Sequence, residues 1–546
     1  MDSSVPRTAR SREVPNQPPP FENVNLFSSD RVLCEALARE AAAITGPLNE
    51  FGAFMGSAET WQMAAAIHRD VPELRSFDRY GHRIDEVEYH PWYHVIMRRA
   101  LEAGIAAAPW RGDVRGHTLH AALEFLLAKV EPSVCCPVTM TYAAPAALKH
   151  APDIAGEWLP RIVASNYDAT SGPAVMKAGV TIGMAMTEKQ GGSDLRANTT
   201  IAQTRGDGLY TLNGHKWFCS APMSDAFLTL AQAPGGLTCF LVQRFRPNGE
   251  HNGLQLMRLK DKIGDRANAS SEIEYHDAEA VRIGEEGRGL SALLEMVHHT
   301  RLDCALAPAA YMQTALTQAI WHTQHRSAFG KKLADHALMR NVLADLALEA
   351  EAAIMLAFRL ARSFDEMAIS EEAQLFSRVA TPIAKYWLNK RVVGHVAECM
   401  ECHGGAGYVE EWPIARFYRQ APLNGIWEGS GNVICLDVLR AFARHPGSAD
   451  VLLAELNLSR GANAIFDREL SGVEQLLRGA NETGARHLTE RIALLLEASL
   501  MLRCAPHADA DLFCAARLGG PAALTYGAIS ANADVDAILA RATPVV

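Results

Sequence analysis

The stretch GMAMTEKQGGSDLRANTT, Gly183 to Thr200, is where the texture of this chain changes. Upstream, from about Asp30 to Leu159, alanine and leucine dominate at helical spacing. In DRVLCEALAREAAAI, residues Val32, Leu33, Leu37 and Ala41 share one stripe, and Asp30 stands where a helix cap is needed. Downstream, YTLNGHKWFCS, DAFLTLAQA, LTCFLVQRF, GLQLMRLKDKIG and SSEIEYHDAEAV are short, alternating or β-branched, with Gly, Asn, Pro and Asp between them. They predict the strands of a small β unit ending near Gly289. Long apolar-periodic runs then return (GLSALLEMVHHTRLDCALAPAAYMQTALTQAIWHTQHRS and two more), as in a helical bundle. After His445, Pro446 and Gly447 a further helical segment of about 100 residues completes the order helical, β, bundle, helical extension. The class is α+β, mostly α.

The chain has 546 residues, 49% of them hydrophobic, which suits a soluble protein of three or four domains. Its net charge of −10 and pI near 6.1 give no global case for nucleic acid, so such a surface would have to be a local patch. Eleven scattered cysteines, an odd count without regular spacing, suit reduced thiols in the cytoplasm better than a disulfide framework. The opening MDSSVPRTARSREVPNQPPPF has arginines with no apolar core behind them, so it does not read as a signal peptide. No run of about 18 apolar residues predicts a membrane span.

Some chemistries lack their signatures. There is no GxGxxG after a strand, no GxxxxGK[ST], no HExxH and no paired CxxC, so a Rossmann site, a P-loop and a metal site are not expected. Cys399, Cys402 and His403 do fit the C-x-x-C-H pattern of covalent haem attachment. That chemistry needs export to an oxidising compartment, and Gly404, Gly405 and Gly407 beside it suggest a turn or a close backbone approach instead.

Four places could carry chemistry, and each has a plainer reading. Thr187, Glu188, Gly191, Gly192, Ser193 and Asp194 could present N–H groups and hydroxyls to a polar ligand edge or phosphate, or simply form a capped turn. In GHKWFCSAP, Trp217 and Phe218 alternate faces, so one can face a ligand while the other packs inside, or both can be core. Arg326 and Phe329 of HRSAFGKKL could meet a pyrophosphate and a ring, or be an exposed arginine with a core phenylalanine. In NGIWEGSGNVICLDVLR, Glu428 lies between Trp427 and a Gly-Ser-Gly turn. A carboxylate in an apolar setting resists ionisation and becomes a competent base, although acids at helix starts are also common.

Together, MTEKQGGSD, GHKWFCS, RSAFGKKL, GGAGY and WEGSGN resemble the acyl-CoA dehydrogenase family. The stretches NQPPPFENVNLFSSDRVLCEA, YHPWYH, CPVTMTYA, LKDKIGDRANAS, RLDCAL and IWEGSGNVICLDVLR narrow the resemblance to its AidB-type branch, tied to the adaptive response to DNA alkylation. The resemblance implies an extended arm (1–25), an N-terminal helical domain (26–182), a middle β domain (183–289), a four-helix bundle (290–445) and a C-terminal helical extension (446–546). It implies FAD held between them and completed by a neighbouring subunit of a homotetramer. Met186 and Thr187 would face the isoalloxazine edge. Gln190, Gly191, Gly192 and Ser193 would give close approach and hydrogen bonds, and Phe218, Cys219 and Ser220 would cover one ring face. Arg326 and Phe329 of a second subunit would hold the pyrophosphate and adenine side. Gly404 and Gly405 would bring a glycine turn to that FAD, and Gly429, Ser430 and Asn432 would meet it after the base. Glu401 stands where many members have Gln, and a carboxylate is not expected to touch a phosphate.

In the family reaction Glu428 would remove the proton next to an acyl-CoA thioester, and Trp427 would favour short or branched acyl groups. The AidB-type resemblance also implies double-stranded DNA bound by the C-terminal region, with Arg440, Arg444 and Arg517 as candidates. Past His445, however, eight arginines and no lysine face twelve acids, leaving about −4. Three readings follow: an AidB-like flavoprotein with dehydrogenase chemistry and DNA association, a plain acyl-CoA dehydrogenase, or a flavin-bearing scaffold that shields DNA without turnover.

Overall fold

The computed structural model describes residues 14–41, 44–206, 208–520 and 523–546. The N-terminal helices are α1 (Arg31–Ala41), α2 (Thr45–Met55), α3 (Ala58–Arg69), α4 (Pro91–Glu102), α5 (Gly116–Ala128), α6 (Pro132–Leu148) and α7 (Pro152–Ile162). Asp30 caps α1 as expected, accepting the Leu33 N–H at 3.1 Å. The helical reading fails between α3 and α4. There β1 (Glu73–Phe77) and β2 (Arg83–Glu88) form an antiparallel hairpin. Asp78 turns it by accepting the Tyr80 and His82 N–H groups, and Gly81 takes φ +84°. Asp85 accepts the Leu256 N–H and Arg83 donates to the Leu256 carbonyl, so the hairpin is fastened to the β unit.

That unit contains β3 (Ile182–Ala185), β4 (Ile201–Gly206), β5 (Leu209–Ser220), β6 (Ala226–Ala233), β7 (Gly236–Gln243), β8 (Leu254–Leu259) and β9 (Ser270–Ile283). The ladder runs β6–β7–β9–β5–β4 and returns to β6, which closes it into a flattened barrel. The strands β3 and β8 are added outside on β6 and β9. Closure explains why β6 reads as a nearly unbroken apolar run: both of its faces are covered.

The bundle is α8 (Gly289–His325), α9 (Ala337–Glu366), α10 (Glu371–Cys402) and, after the short α11 (Pro413–Gln420), α12 (Gly431–Arg444). Every residue of α8 from Leu302 to Ile320 is buried, so this helix is a mast wrapped by the others. Its charge is answered from the N-terminal layer. Asp303 accepts from His120 at 2.8 Å and Thr139 at 2.7 Å, and Glu124 lies against the same threonine.

The extension comprises α13 (Gly447–Asn457), α14 (Ala464–Arg478), α15 (Ala485–Cys504), α16 (His507–Arg517) and α17 (Val535–Ala542). Two buried arginines rivet it to α9. Arg517 bonds Asp345 at 2.5 Å and Glu349 at 2.8 Å, and Arg541 bonds Glu351 at 2.9 Å. The expectation that Arg517 offers a DNA contact is therefore corrected: both of its carboxylate partners lie inside the fold. The expected N-terminal arm is docked from Asn16 onward, with Phe21, Val24, Leu26 and Phe27 buried, and the part before Val14 lies outside the described residues.

All eleven cysteines are free thiols and eight are buried. Burial pushes the thiols of Cys136, Cys219, Cys239 and Cys402 up to about 12. Cys399 and Cys402 point into the bundle, which rules out a haem thioether at these positions.

Burial, followed by the charge of Asp303, pushes the Glu124 carboxyl from 4.5 up to about 8. Glu124 thus holds its proton more tightly folded than unfolded, and its contribution to stability falls as pH rises through that window. In Glu124→Gln this part of the slope is expected to vanish. Denaturation free energies measured between pH 5 and 8 would then decline less steeply than in the parent, and an unchanged slope would refute the assignment.

Candidate active site

Two sets of residues are held by different means. The first is the loop leaving β3. Glu188 is wholly buried and gathers the loop around its carboxylate. It accepts from Thr199 N–H at 2.6 Å, Thr200 Oγ1 at 2.6 Å, Gln190 Nε2 at 2.8 Å and Lys216 Nζ at 2.8 Å. Burial alone would raise its pKa, but Lys216 and these hydrogen bonds outweigh burial and hold it far below the usual carboxylate range. Lys216 is equally buried and also donates to the Leu230 carbonyl.

With the loop fixed by this pair, Met186 and Thr187 stand half-buried, while Gly191 and Ser193 are exposed. A Cβ on Gly192 would come 2.4 Å from Thr187 Oγ1, so any side chain there would push Thr187 aside. Gln190 is exposed, and its amide nitrogen donates to Glu188 at 2.8 Å and to the Ala197 carbonyl at 3.1 Å.

The neighbouring strand β5 continues the surface. The Trp217 N–H donates to the Thr187 carbonyl, and Lys260 sits 3.4 Å over the Trp217 ring. A register shift between Lys216 and Cys219 sets the faces beyond it. Phe218 is 48% exposed and Ser220 half-buried, whereas Cys219 is fully buried. The reading of Cys219 as a surface that covers a ring is therefore corrected.

The second set surrounds Glu428. Glu428 takes φ +58° and Gly429 φ +104°, two successive left-handed residues. Two cations from the bundle hold their carbonyls. Arg301 of α8 donates Nε to the Glu428 carbonyl at 3.0 Å, and Lys385 of α10 donates Nζ to the Gly429 carbonyl at 2.7 Å. Arg301 is fixed in turn by Asp437, which Arg378 also grips at 2.8 Å. A Cβ on Gly429 would press on Ile434 at 3.0 Å and Arg301 at 3.4 Å.

The outcome is an aimed carboxylate. Glu428 as a residue is only partly covered, yet its Oε1 is sealed from solvent and has no hydrogen-bond partner. Desolvation pushes its pKa up to about 7, with Arg301 and Lys385 opposing. Lys385 is pushed down to about 8, again by burial. Trp427 is anchored by its indole to Asn424 at 2.7 Å.

The loop after β8 ties the barrel to this region. Lys262 bonds Ser270 and Asp265, and the Asp265 N–H donates to Gln420 on α11, a few residues ahead of Glu428.

The other expected residues lie on outer surfaces. Gly404 and Gly405 are exposed with open space where a Cβ would be, and Glu401 beside them is exposed. Arg326 is half-buried at the end of α8, and Phe329 is 96% exposed at φ +51°. Ser430 and Asn432 are exposed, and Asn432 accepts from Arg486 of the extension at 2.8 Å, a link no motif announced. Arg440 and Arg444 are exposed on α12. Among the described residues no cluster of His, Cys, Asp or Glu is placed to hold a metal ion, and no helix is long and apolar enough to cross a membrane.

Comparison with known proteins assigns the architecture. Residues 16–169 match the adaptive response protein AidB N-terminal domain, 183–278 the acyl-CoA dehydrogenase middle domain, and 287–443 the acyl-CoA dehydrogenase C-terminal domain. The chain is 43% identical to the putative acyl-CoA dehydrogenase AidB of Escherichia coli (strain K12), over 91% of this chain and 93% of that one. The chain belongs to the acyl-CoA dehydrogenase family, in its AidB-type branch. Acyl-CoA dehydrogenase family member 11 of Caenorhabditis elegans is 30% identical over 79% of this chain and 72% of its own. The crystal structure of Caenorhabditis elegans ACDH-11 in complex with C11-CoA superimposes with TM-score 0.85 at 25% identity, covering 98% of both chains. As an acyl-CoA dehydrogenase family member the chain is an FAD-dependent oxidoreductase. The tight Gly192, the exposed Gly191 and the orphaned Glu428 oxygen fit such a group.

The buried pair behind the first loop is testable. Lys216→Met leaves Glu188 charged and unpaired, which is expected to cost about 3–5 kcal/mol in urea denaturation. The double variant Lys216→Met/Glu188→Gln is expected to recover part of that loss, and equal stability of the single variant and the parent would refute the pair's role.

Proposed function

We propose that this protein oxidises an acyl-CoA thioester at the Cα–Cβ bond with Glu428 as the base, and that it also associates with double-stranded DNA. The observation that carries the first part is the solvent-sealed, unpartnered Glu428 oxygen on a backbone held by two cations. FAD, when bound, supplies the hydride acceptor. The chain's own part is to aim. Arg301 and Lys385 fix the carboxylate's backbone, and a pKa of about 7 leaves Glu428 able to take the proton next to the thioester carbonyl. Met186, Thr187, Gly191, Gly192 and Ser193 would hold the isoalloxazine edge, with Phe218 and Ser220 on a ring face and Gly429, Ser430 and Asn432 beyond the base.

Arg326, Phe329, Gly404 and Gly405 would serve the FAD of a second copy in a homotetramer. Phe329 is 96% exposed among the described residues, which supports that placement. The C11-CoA complex of ACDH-11 supports an acyl-CoA substrate, and the half-buried Trp427 favours short or branched acyl groups. The units then divide near Gly183, Gly289 and Pro446, in a protein at work in the cytoplasm.

The decisive experiment is anaerobic titration of the yellow protein with a panel of acyl-CoAs. A substrate bleaches the flavin band, and Glu428→Gln is expected to slow that bleaching by roughly 10²–10⁴-fold. The rate in the parent should rise with pH through about 7, as Glu428 loses its proton, and this limb should be missing from the variant. Full-speed bleaching by Glu428→Gln would exclude it as the base.

A role in guarding DNA against alkylation rests on the match to the AidB N-terminal domain and on the exposure of Arg440 and Arg444. If both touch phosphates, Arg440→Gln/Arg444→Gln lowers the slope of log affinity against log salt by about 2 units. An unchanged slope removes them from the interface. Protection that survives Glu428→Gln would favour the shielding scaffold over turnover.

A further inference from the structure

The segment before Phe21 crosses the outer end of α8. The Pro19 carbonyl accepts from the Trp321 indole at 2.8 Å, and Phe21 meets Trp321 edge-on with centroids 5.3 Å apart. Trp321 in turn covers His325 at 4.2 Å. Beyond this anchor Asn16 takes φ +65°, a conformation asparagine tolerates better than most residues. In that conformation it closes three hydrogen bonds on the turn that carries Arg326 and Phe329. Its Nδ2 donates to the Ser327 carbonyl at 2.8 Å, and its Oδ1 accepts the Ser327 N–H at 2.6 Å. Its backbone carbonyl accepts from Arg326 Nη1 at 2.9 Å, which is the guanidinium's side-chain hydrogen bond in the described chain. The turn then folds back through the Leu333 N–H to the Arg326 carbonyl at 2.8 Å.

The identity of the acceptor matters. An arginine gives up rotamer freedom when it binds an anion, so holding it beforehand lowers the cost of binding. A carboxylate would hold it equally well but would neutralise it. A neutral carbonyl fixes the direction and leaves the positive charge, and the Nε and Nη2 edge, available for phosphate oxygens.

We propose that Asn16 is a positioning residue for the flavin site: through its carbonyl and its clasp on Ser327 it aims Arg326 at the pyrophosphate of FAD bound to a second copy of this chain. This rests on the reading of Arg326 given above. It makes the N-terminal arm, through Arg326, part of the cofactor site.

The test uses the full chain stripped of flavin and titrated with FAD, followed by the quenching of flavin fluorescence. Asn16→Ala loses both side-chain bonds and the ease of positive φ, and is expected to bind FAD about tenfold more weakly. Asn16→Gly keeps φ and the carbonyl and is expected to fall between the two. A chain beginning at Gln17 gives a second reading if Asn16→Ala folds poorly. In an Arg326→Gln background Asn16→Ala should cause no further loss, because the residue acts through that arginine. A purely structural contact would instead lower the thermal midpoint of the flavin-free protein and leave FAD affinity alone. Parent-like affinity in Asn16→Ala and the truncated chain would overturn the proposal while leaving the flavin site standing. A parent protein that takes up no FAD would overturn both.

Discussion

Much of this molecule is arranged around one carboxylate that is denied water. Glu428 can sit with a bare oxygen because its main chain is not free to turn away: two successive left-handed residues are pinned by Arg301 and Lys385. The cations do two jobs of opposite sign. They hold the backbone that aims the side chain, and their charge partly offsets the desolvation that raises its pKa, leaving it near neutrality. Each comes from a different long helix, so the geometry of Glu428 depends on the packing of α8 against α10. That packing depends in turn on a mast helix buried on all sides from Leu302 to Ile320.

The barrel meets the same physical problem with the opposite solution. Glu188 is satisfied completely, by a buried ammonium, a neighbouring amide and two threonines, and it is locked in the charged state. One acid is left with a bare oxygen, and the other holds a loop still. The contact from Asp265 to Gln420 carries the barrel's position towards the segment that bears Glu428.

The order of units was legible because the hydrophobic period changes near Gly183 and again near Gly289, and period is a local property. The raised pKa of Glu428 was legible because WEGSGN combines bulk, charge and turn in a few residues. Arg301, Lys385 and Asp437 were not, since a lone charge in an apolar helix carries no sign of what it meets more than 40 residues away. The hairpin at Glu73–Glu88 was hidden by charged residues that blur its alternation. Cys219 was misplaced because a register shift in β5 sets which side chains face the core. Arg517 departs from the expected DNA contact because a polar side chain beside a turn need not face outward: it meets carboxylates inside the protein.

The cysteines described above have a chemical consequence of their own. Sulfur attacks an electrophile as the thiolate, and a thiol whose ionisation lies near 12 holds almost none at neutral pH. Eight of the eleven are also out of solvent's reach. An electrophile in solution is therefore left with the three partly exposed thiols, Cys34, Cys136 and Cys504.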